Sequence, residues 1–236
     1  MGKNPCYIFT GRFGSGKTEI AINFALKLCR EPAGTDGGCP VLVDLDVVTP
    51  YFRSREMADR MRERGVEVVT PAAVSRYLDT PGLTPEIMGV LQDSRRTVVL
   101  DVGGDVQGAR VLAQYRDVLR ERGYAMYVVV NPYRPFTQDD VGIASAVRDM
   151  ELTTRLMAGG LVGNPHILAS TTPEQFLEGW KVLVRASQRL GIPLAMVAVE
   201  QSLLPAVAGQ LPADTPLLPL ERFFFPPWEE EMGAGG

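Results

Sequence analysis

Eight residues near the start of the chain, Gly11-Arg12-Phe13-Gly14-Ser15-Gly16-Lys17-Thr18, fit the pattern G-x-x-x-x-G-K-[ST]. They stand between an apolar run at 6–9 and a helical pattern that begins at Glu19. A strand, a glycine-rich turn and a helix in that order make a phosphate-binding loop. The glycines let successive backbone N–H groups turn inward around phosphate oxygens, and the helix N-terminus adds a favourable dipole. Lys17 brings a mobile positive charge and Thr18 offers a hydroxyl to Mg²⁺. Glu19 completes the candidate nucleotide-binding stretch.

Such a loop demands a sheet behind it. Apolar, β-branched runs at 7–9, 41–45, 66–69, 98–100, 127–130, 161–162 and 194–199 predict strands. They lack polar alternation, so the sheet is covered on both faces. Between them, 19–30, 53–64, 84–92, 109–122, 138–156 and 172–190 carry apolar residues at helical spacing, with Ile20, Phe24 and Leu28 as one stripe. The alternation predicts an α/β fold: one mostly parallel, twisted sheet of about seven or eight strands with helices on both faces. Ligands of such sheets bind at the carboxyl ends of the strands. A single nucleotide-binding domain is expected over 1–222, followed by a tail at 223–236. The tail's FFFPPW packs across the body rather than forming a strand, and its acidic, glycine-rich end frays. The stretch 71–85, with its prolines, is read as a surface excursion.

Composition narrows the partners. The net charge is −4 and only four residues are lysine, so no global basic field is present to hold nucleic acid. There is neither a signal-peptide pattern nor an apolar stretch of about 18 residues, and no amphipathic helix ends the sequence. A cytoplasmic protein that neither spans nor lies on a membrane is expected. Cys6, Cys29 and Cys39 are scattered and form no C-x-x-C, which makes disulfide and metal readings weak.

Two strands end in acids. The second closes as Val43-Asp44-Leu45-Asp46 and the fourth as Leu100-Asp101-Val102-Gly103-Gly104-Asp105. A hydrophobic strand ending in Asp places a carboxylate near Mg²⁺, directly or through water, and glycine after it lets the chain approach a γ-phosphate.

GRFGSGKT, VDLDVVTPYFRSRE, VVLDVGGD, VVNP and GLVGN, in that order, resemble the MinD/ParA group of ATPases, to which the nitrogenase iron protein is related. The resemblance runs from Tyr7 to about Val207. It implies that Lys17 holds phosphate, Thr18 ligates Mg²⁺, Asp46 polarises the attacking water and contacts the metal, and Asp101 acts around Mg²⁺. It makes Asn164 the adenine reader, with 199–207 lying over the base, and Asn131 a second base-side candidate. The first switch follows Asp46 and reaches Arg53 and Arg55, while the second includes Gly104 and Asp105. Arg53 and Arg55 are partner or anion candidates, or else exposed charges opening a helix. Arg134, in NPYRP, faces the nucleotide or a client.

The sequence departs from the family at two points. The signature lysine of the loop is Arg12 here and the next glycine is Phe13. In the family that lysine crosses a dimer interface to the partner's phosphates. Arg12 is either an equivalent finger, suited by its planar fork, or a side chain of a plain loop. The second switch lacks cysteine, so no iron–sulfur cluster is expected. His166 is read as a hydrogen-bonded loop residue. The resemblance thus implies an Mg²⁺-dependent ATPase of slow turnover, a nucleotide-dependent homodimer and a protein client. The alternative is a small-molecule phosphotransferase or ligase of the dethiobiotin-synthetase kind. Guanine is less suited, since no N-K-x-D or T-K-x-D follows the relevant strands.

Overall fold

The computed structural model describes residues 5–30, 38–46, 55–70, 84–168 and 170–224, with the side chains of 55–57 and 107 excepted. Eight strands form one sheet: β1 (Cys6–Thr10), β2 (Val41–Leu45), β3 (Glu67–Val69), β4 (Val98–Val102), β5 (Ala125–Val130), β6 (Ala158–Gly163), β7 (Leu194–Glu200) and β8 (Leu217–Leu220). They lie in the order β3-β2-β4-β1-β5-β6-β7-β8, every pairing parallel. The expected fold class is therefore the observed one.

Successive side chains of a strand point to opposite faces, and β1 shows the result. Ile8 enters a core built with α3 (Pro85–Gln92), α4 (Val106–Gln114), α5 (Arg116–Arg122), α6 (Asp140–Thr154) and α7 (Pro173–Leu190). Phe9 enters a second core with Ile20 and Phe24 of α1 (Lys17–Arg30) and Met61 of α2 (Arg55–Glu63). Both residues are fully buried, which is why the strands read as unbroken apolar runs. The chain leaves β4 on one side of β1 and re-enters at β5 on the other, so the strand order reverses at β1. The carboxyl end of β1, where Gly11 begins the glycine loop, is thus the switch point at which α/β sheets bind ligands.

Helix boundaries follow local chemistry. Thr84 caps α3 with Pro85 in its first turn, and Thr172 and Gln175 form a reciprocal capping box at α7, which stops at left-handed Gly191. Asp139 caps α6 through the N–H of Gly142.

Several expectations are corrected. The helical stretch 109–122 is two helices hinged at buried Tyr115, whose hydroxyl accepts the Thr84 N–H. β8 went unread because Pro219 lies within it; as the edge strand of the sheet it tolerates the missing donor. Cys29 and Cys39 are joined in a disulfide, Cα atoms 4.6 Å apart. The sheet brings the end of α1 beside the approach to β2, a proximity that sequence spacing does not reveal. Cys6 stays a buried thiol, pushed up to about 12 by desolvation. Phe223, at the start of the tail, is buried in the second core. The excursion at 71–85 lies outside the described residues except for Thr84 and Pro85.

One buried cation holds an end of the fold together. Arg122 is 6% exposed, and its Nη1 donates to the carbonyls of Val90, Leu91 and Asp93 at 3.2, 2.9 and 2.9 Å while Nη2 donates to that of Arg96. It satisfies the orphan carbonyls at the end of α3 and fixes the turn into β4. Arg122→Leu is expected to destabilise the protein by at least about 3 kcal/mol, since a buried acceptor left unpaired costs about 1–3 kcal/mol. A urea melt would read this directly, and a midpoint equal to the parent's would refute it.

Candidate phosphate-binding site

The loop after β1 is wound as a nest. Gly11, Gly14 and Gly16 all have positive φ, Ser15 N–H donates to Arg12 O at 3.2 Å, and α1 starts at Lys17. Lys17 is buried with Nζ 3.4 Å from Arg12 O. Desolvation lowers its pKa, while Asp101, Asp46 and Asp105 pull it back up. A buried cation in the field of three carboxylates and set within a glycine loop is arranged to meet phosphate oxygens.

Asp101, on β4, is fully enclosed. Burial pushes its carboxyl up to about 6, against the Thr18 hydroxyl and the Lys17 ammonium, and Asp46 adds to the rise. The Thr18 hydroxyl is near enough to favour the charged form, yet neither Asp101 oxygen has a hydrogen bond of good geometry, and the buried Ser15 Oγ also lacks one. Buried polar atoms without partners are rare and expensive. Here they face the place where phosphate and a divalent cation would sit. Asp101 and Thr18 fit Mg²⁺, which takes one or two protein oxygens and fills the rest of its shell with phosphate and water. No cluster of three or more His, Cys, Asp or Glu residues suited to a metal occurs among the described residues, so phosphate and water would supply the remaining ligands.

Asp46 sits at the end of β2, beside β4. Its own N–H is held by Asp44 Oδ1 at 2.8 Å, so Asp44 braces the turn that aims Asp46. A Cβ placed on Gly103 would lie 3.2 Å from Asp46 Oδ1, which sets the Asp46 carboxylate against the turn that follows β4. Gly104 is closer still to the loop. A Cβ there would lie 2.6 Å from Lys17 Nζ, 2.7 Å from Phe13 N and 2.8 Å from Gly11 O. Only glycine lets the chain approach the mouth of the loop so closely. Asp105 turns away and caps α4, accepting Gly108 N–H at 2.7 Å.

The structure therefore brings Lys17, Thr18, Asp46, Asp101 and Gly104 together. Other candidates have different surroundings. Arg12 reaches across to α6, with Nη2 3.3 Å from Asp149 Oδ2 and its guanidinium 5.2 Å above the Phe136 ring. Phe13 projects outward, 74% exposed. The Glu19 carboxylate accepts the N–H of Phe223; burial pushes it up to about 7, against the pull of that N–H. Asn164 Nδ2 donates to Ser15 O at 2.9 Å, tying the end of β6 to the loop. The Asn131 side chain closes a turn, donating to His166 O at 2.8 Å and accepting Tyr133 N–H at 2.9 Å. Arg134 Nε donates to Gly14 O at 3.1 Å, so this arginine lies over the loop. Arg53 and the Arg55 side chain lie outside the described residues.

Beside the loop, two adjoining cavities of about 170 and 130 Å³ share Asn164, His166, Leu168 and Glu200. His166 Nε2 is 3.7 Å from Glu200 Oε2; burial lowers the imidazole pKa and Glu200 raises it. The smaller cavity is also walled by Leu220, Arg222 and Phe224. Sequence reading placed Glu200 within the 199–207 segment over the base but missed Leu220, Arg222 and Phe224. The usable signal was the rule that ligands gather at strand ends, because Leu220 ends β8.

The chain matches no protein-family model and no curated protein. Among solved structures it is similar to chloroplast FtsY from Physcomitrella patens, with a TM-score of 0.55 and 15% identity over 84% of this chain and 59% of that one. Cell division protein FtsY from Thermotoga maritima gives 0.54 and 17% over 84% of this chain and 62% of that one. The 54 kDa signal recognition particle protein from Aeropyrum pernix K1, in complex with GDP, gives 0.52 and 17% over 83% and 41%. The fold is that of the FtsY and signal recognition particle structures. At this identity the likeness reaches the fold alone, and the chain spans about three-fifths of the length of the FtsY structures it matches. No described helix is long and apolar enough to cross a membrane.

Proposed function

We propose that this protein is an Mg²⁺-dependent nucleotide switch of the MinD/ParA type, which binds and slowly hydrolyses ATP and passes its nucleotide state to a protein client. The observation that carries the reading is the convergence of Lys17, Thr18, Asp101 and Asp46 on one glycine loop, with buried Asp101 oxygens lacking a hydrogen bond of good geometry. Bound Mg²⁺ would neutralise charge on the transferring phosphoryl group and be held by Thr18 and Asp101. Lys17 meets the phosphate oxygens, and Asp46 orients the attacking water from its place against Gly103. Gly104, packed on the loop, is positioned to feel the γ-phosphate, so hydrolysis would release the second switch.

The rim of the loop supports a protein partner. Phe13 and Phe136 are more than 70% exposed, and Val106 and Val141 more than half exposed. Phe13 adjoins Gly104, two residues before Val106, and Arg12 links the loop to Phe136, near the start of α6. Exposed apolar groups around a phosphate site suit a surface covered in one nucleotide state. A second copy of the chain is the occupant that the MinD/ParA resemblance favours. GTP is the rival nucleotide, because a relative of the same fold holds GDP and the Glu200 carboxylate beside Asn164 suits the N1–H and amino group of guanine.

The test is molecular mass by light scattering, with turnover measured in parallel, for the parent, Asp46→Ala and Arg12→Ala. Each is run with Mg²⁺ and ATP, ADP, GTP or no nucleotide. Asp46→Ala is expected to keep its affinity, lose about 10²–10⁴-fold in turnover and persist as the triphosphate-bound dimer. Parent-level turnover in Asp46→Ala would remove Asp46 from the chemistry. An ATP-bound parent that stays monomeric would shift weight to phosphotransfer on a small acceptor. A preference for GTP would replace ATP in the same site.

A further inference from the structure

The chain does not end its work at the last strand. After β8 it turns back along α1, and segment 221–224 is held there at alternate residues. Asn23 pairs with the Glu221 backbone in both directions, Nδ2 donating to its carbonyl at 2.9 Å and Oδ1 accepting its N–H at 2.8 Å. Arg64, just past α2, reaches the Glu221 side chain at 2.7 Å. Glu19, the residue after Thr18, accepts the Phe223 N–H. The Phe223 ring is 5% exposed and lies beneath the guanidinium groups of Arg60 and Arg64 at 5.4 and 5.2 Å. With residues 221 and 223 pinned to α1 and α2, Arg222 and Phe224 line the 130 Å³ cavity together with Gly14, Gly16 and Asn164.

We infer that this strap is the side wall of a nucleobase site, with Phe224 and Arg222 as positioning residues that stack against a purine whose phosphates occupy the glycine loop. The inference rests on the nucleotide reading above and adds to it which residues hold the base. A phenyl ring and a guanidinium plane are the two side-chain surfaces best suited to a flat heteroaromatic ring. The cavity lies on the Gly14–Gly16 side of the loop and meets Asn164, whose amide is anchored to Ser15 O. Phosphates in the nest would thus leave a base directed at the strap. Glu19 serves here as the peg that fixes the strap one residue from the end of the loop, and Asn23 is the second peg one helical turn on. Stacking tolerates any purine, so the wall supplies affinity for the base without choosing between adenine and guanine.

Calorimetric titration of the full chain with ATP, GTP and inorganic tripolyphosphate, each with Mg²⁺, tests this on the parent, Phe224→Ala, Phe224→Tyr and Arg222→Ala. Phe224→Ala is expected to bind both nucleotides about tenfold more weakly while its tripolyphosphate affinity stays at the parent value. Phe224→Tyr should regain the loss, and Arg222→Ala should weaken nucleotides in the same selective way. If Phe224→Ala folds poorly, Phe224→Leu keeps the apolar volume without the ring and is read instead. Equal nucleotide affinity in parent and variants, or a loss shared equally by tripolyphosphate, overturns the wall and leaves the phosphate loop standing. A parent that binds none of the three overturns the nucleotide reading and the wall together.

Discussion

Lys17→Ala is expected to weaken binding of Mg²⁺-nucleoside triphosphate by roughly 30- to 5,000-fold, the equivalent of about 2–5 kcal/mol for truncating one partner of a buried charge pair. The size follows from the surroundings. The Lys17 ammonium is buried, rests 3.4 Å from Arg12 O, and is the cation that Asp101, Asp46 and Asp105 share. Without it, phosphate entering the nest meets three acids and no cation at its centre. Asp101, already pushed up to about 6 by burial, would be driven further toward its neutral form. Lys17→Arg should not restore binding, because a planar fork is larger than the compact ammonium the nest encloses. Calorimetry on folded protein measures this, and parent-level affinity in Lys17→Ala would mean that the loop does not hold phosphate through this residue.

Gly108→Ala is the second large effect, and it acts through backbone. A Cβ at Gly108 would lie 2.6 Å from Gly103 Cα, 2.6 Å from Gly103 O and 2.7 Å from its carbonyl carbon. None of these atoms can swing aside as a side-chain tip would. The first turn of α4 must therefore move off the end of β4 and carry Gly104 away from Lys17 and Phe13. Overpacking of this kind costs about 1–3 kcal/mol, or roughly 2–12 °C in melting temperature for a chain of this size. Turnover should fall more than affinity on the proposed reading, in which the displaced segment senses the γ-phosphate while the loop itself is untouched. A variant that melts within about 1 °C of the parent and hydrolyses at its rate would show that the two glycines are not a required contact.

Where the sequence was legible, a single local interaction dominated. The glycine loop, the acid-ended strands β2 and β4, and the helices after them follow from short-range chemistry plus burial on both faces of the sheet, and the apolar runs Val41–Val43 and Val98–Leu100 record that burial. What was hidden depends on the sheet being assembled. Pro219 reads as a breaker until β7 supplies a partner and solvent takes the other side. Tyr115 continues a helical stripe until its hydroxyl is needed by Thr84, the cap of α3. Arg222 and Phe224 carry no motif and become neighbours of Asn164 only because β6, β7 and β8 end at one rim. Asn131 also lines the cavity at that rim, with its side chain held by the backbone of Tyr133 and His166.

The two outer strands limit how this molecule can be joined to another. β3 has only three residues and its exposed Glu67 is tied to Arg96, while β8 carries Pro219, which has no N–H to offer. Short, charged and proline-bearing edges are how sheets avoid growing sideways. Among the described residues, then, neither margin is a template for strand addition, and this sheet is terminated laterally. Association is left to the faces and to the rim where the strands end, so any complex should form and dissolve without extending the backbone ladder, leaving the strand content of the free protein unchanged.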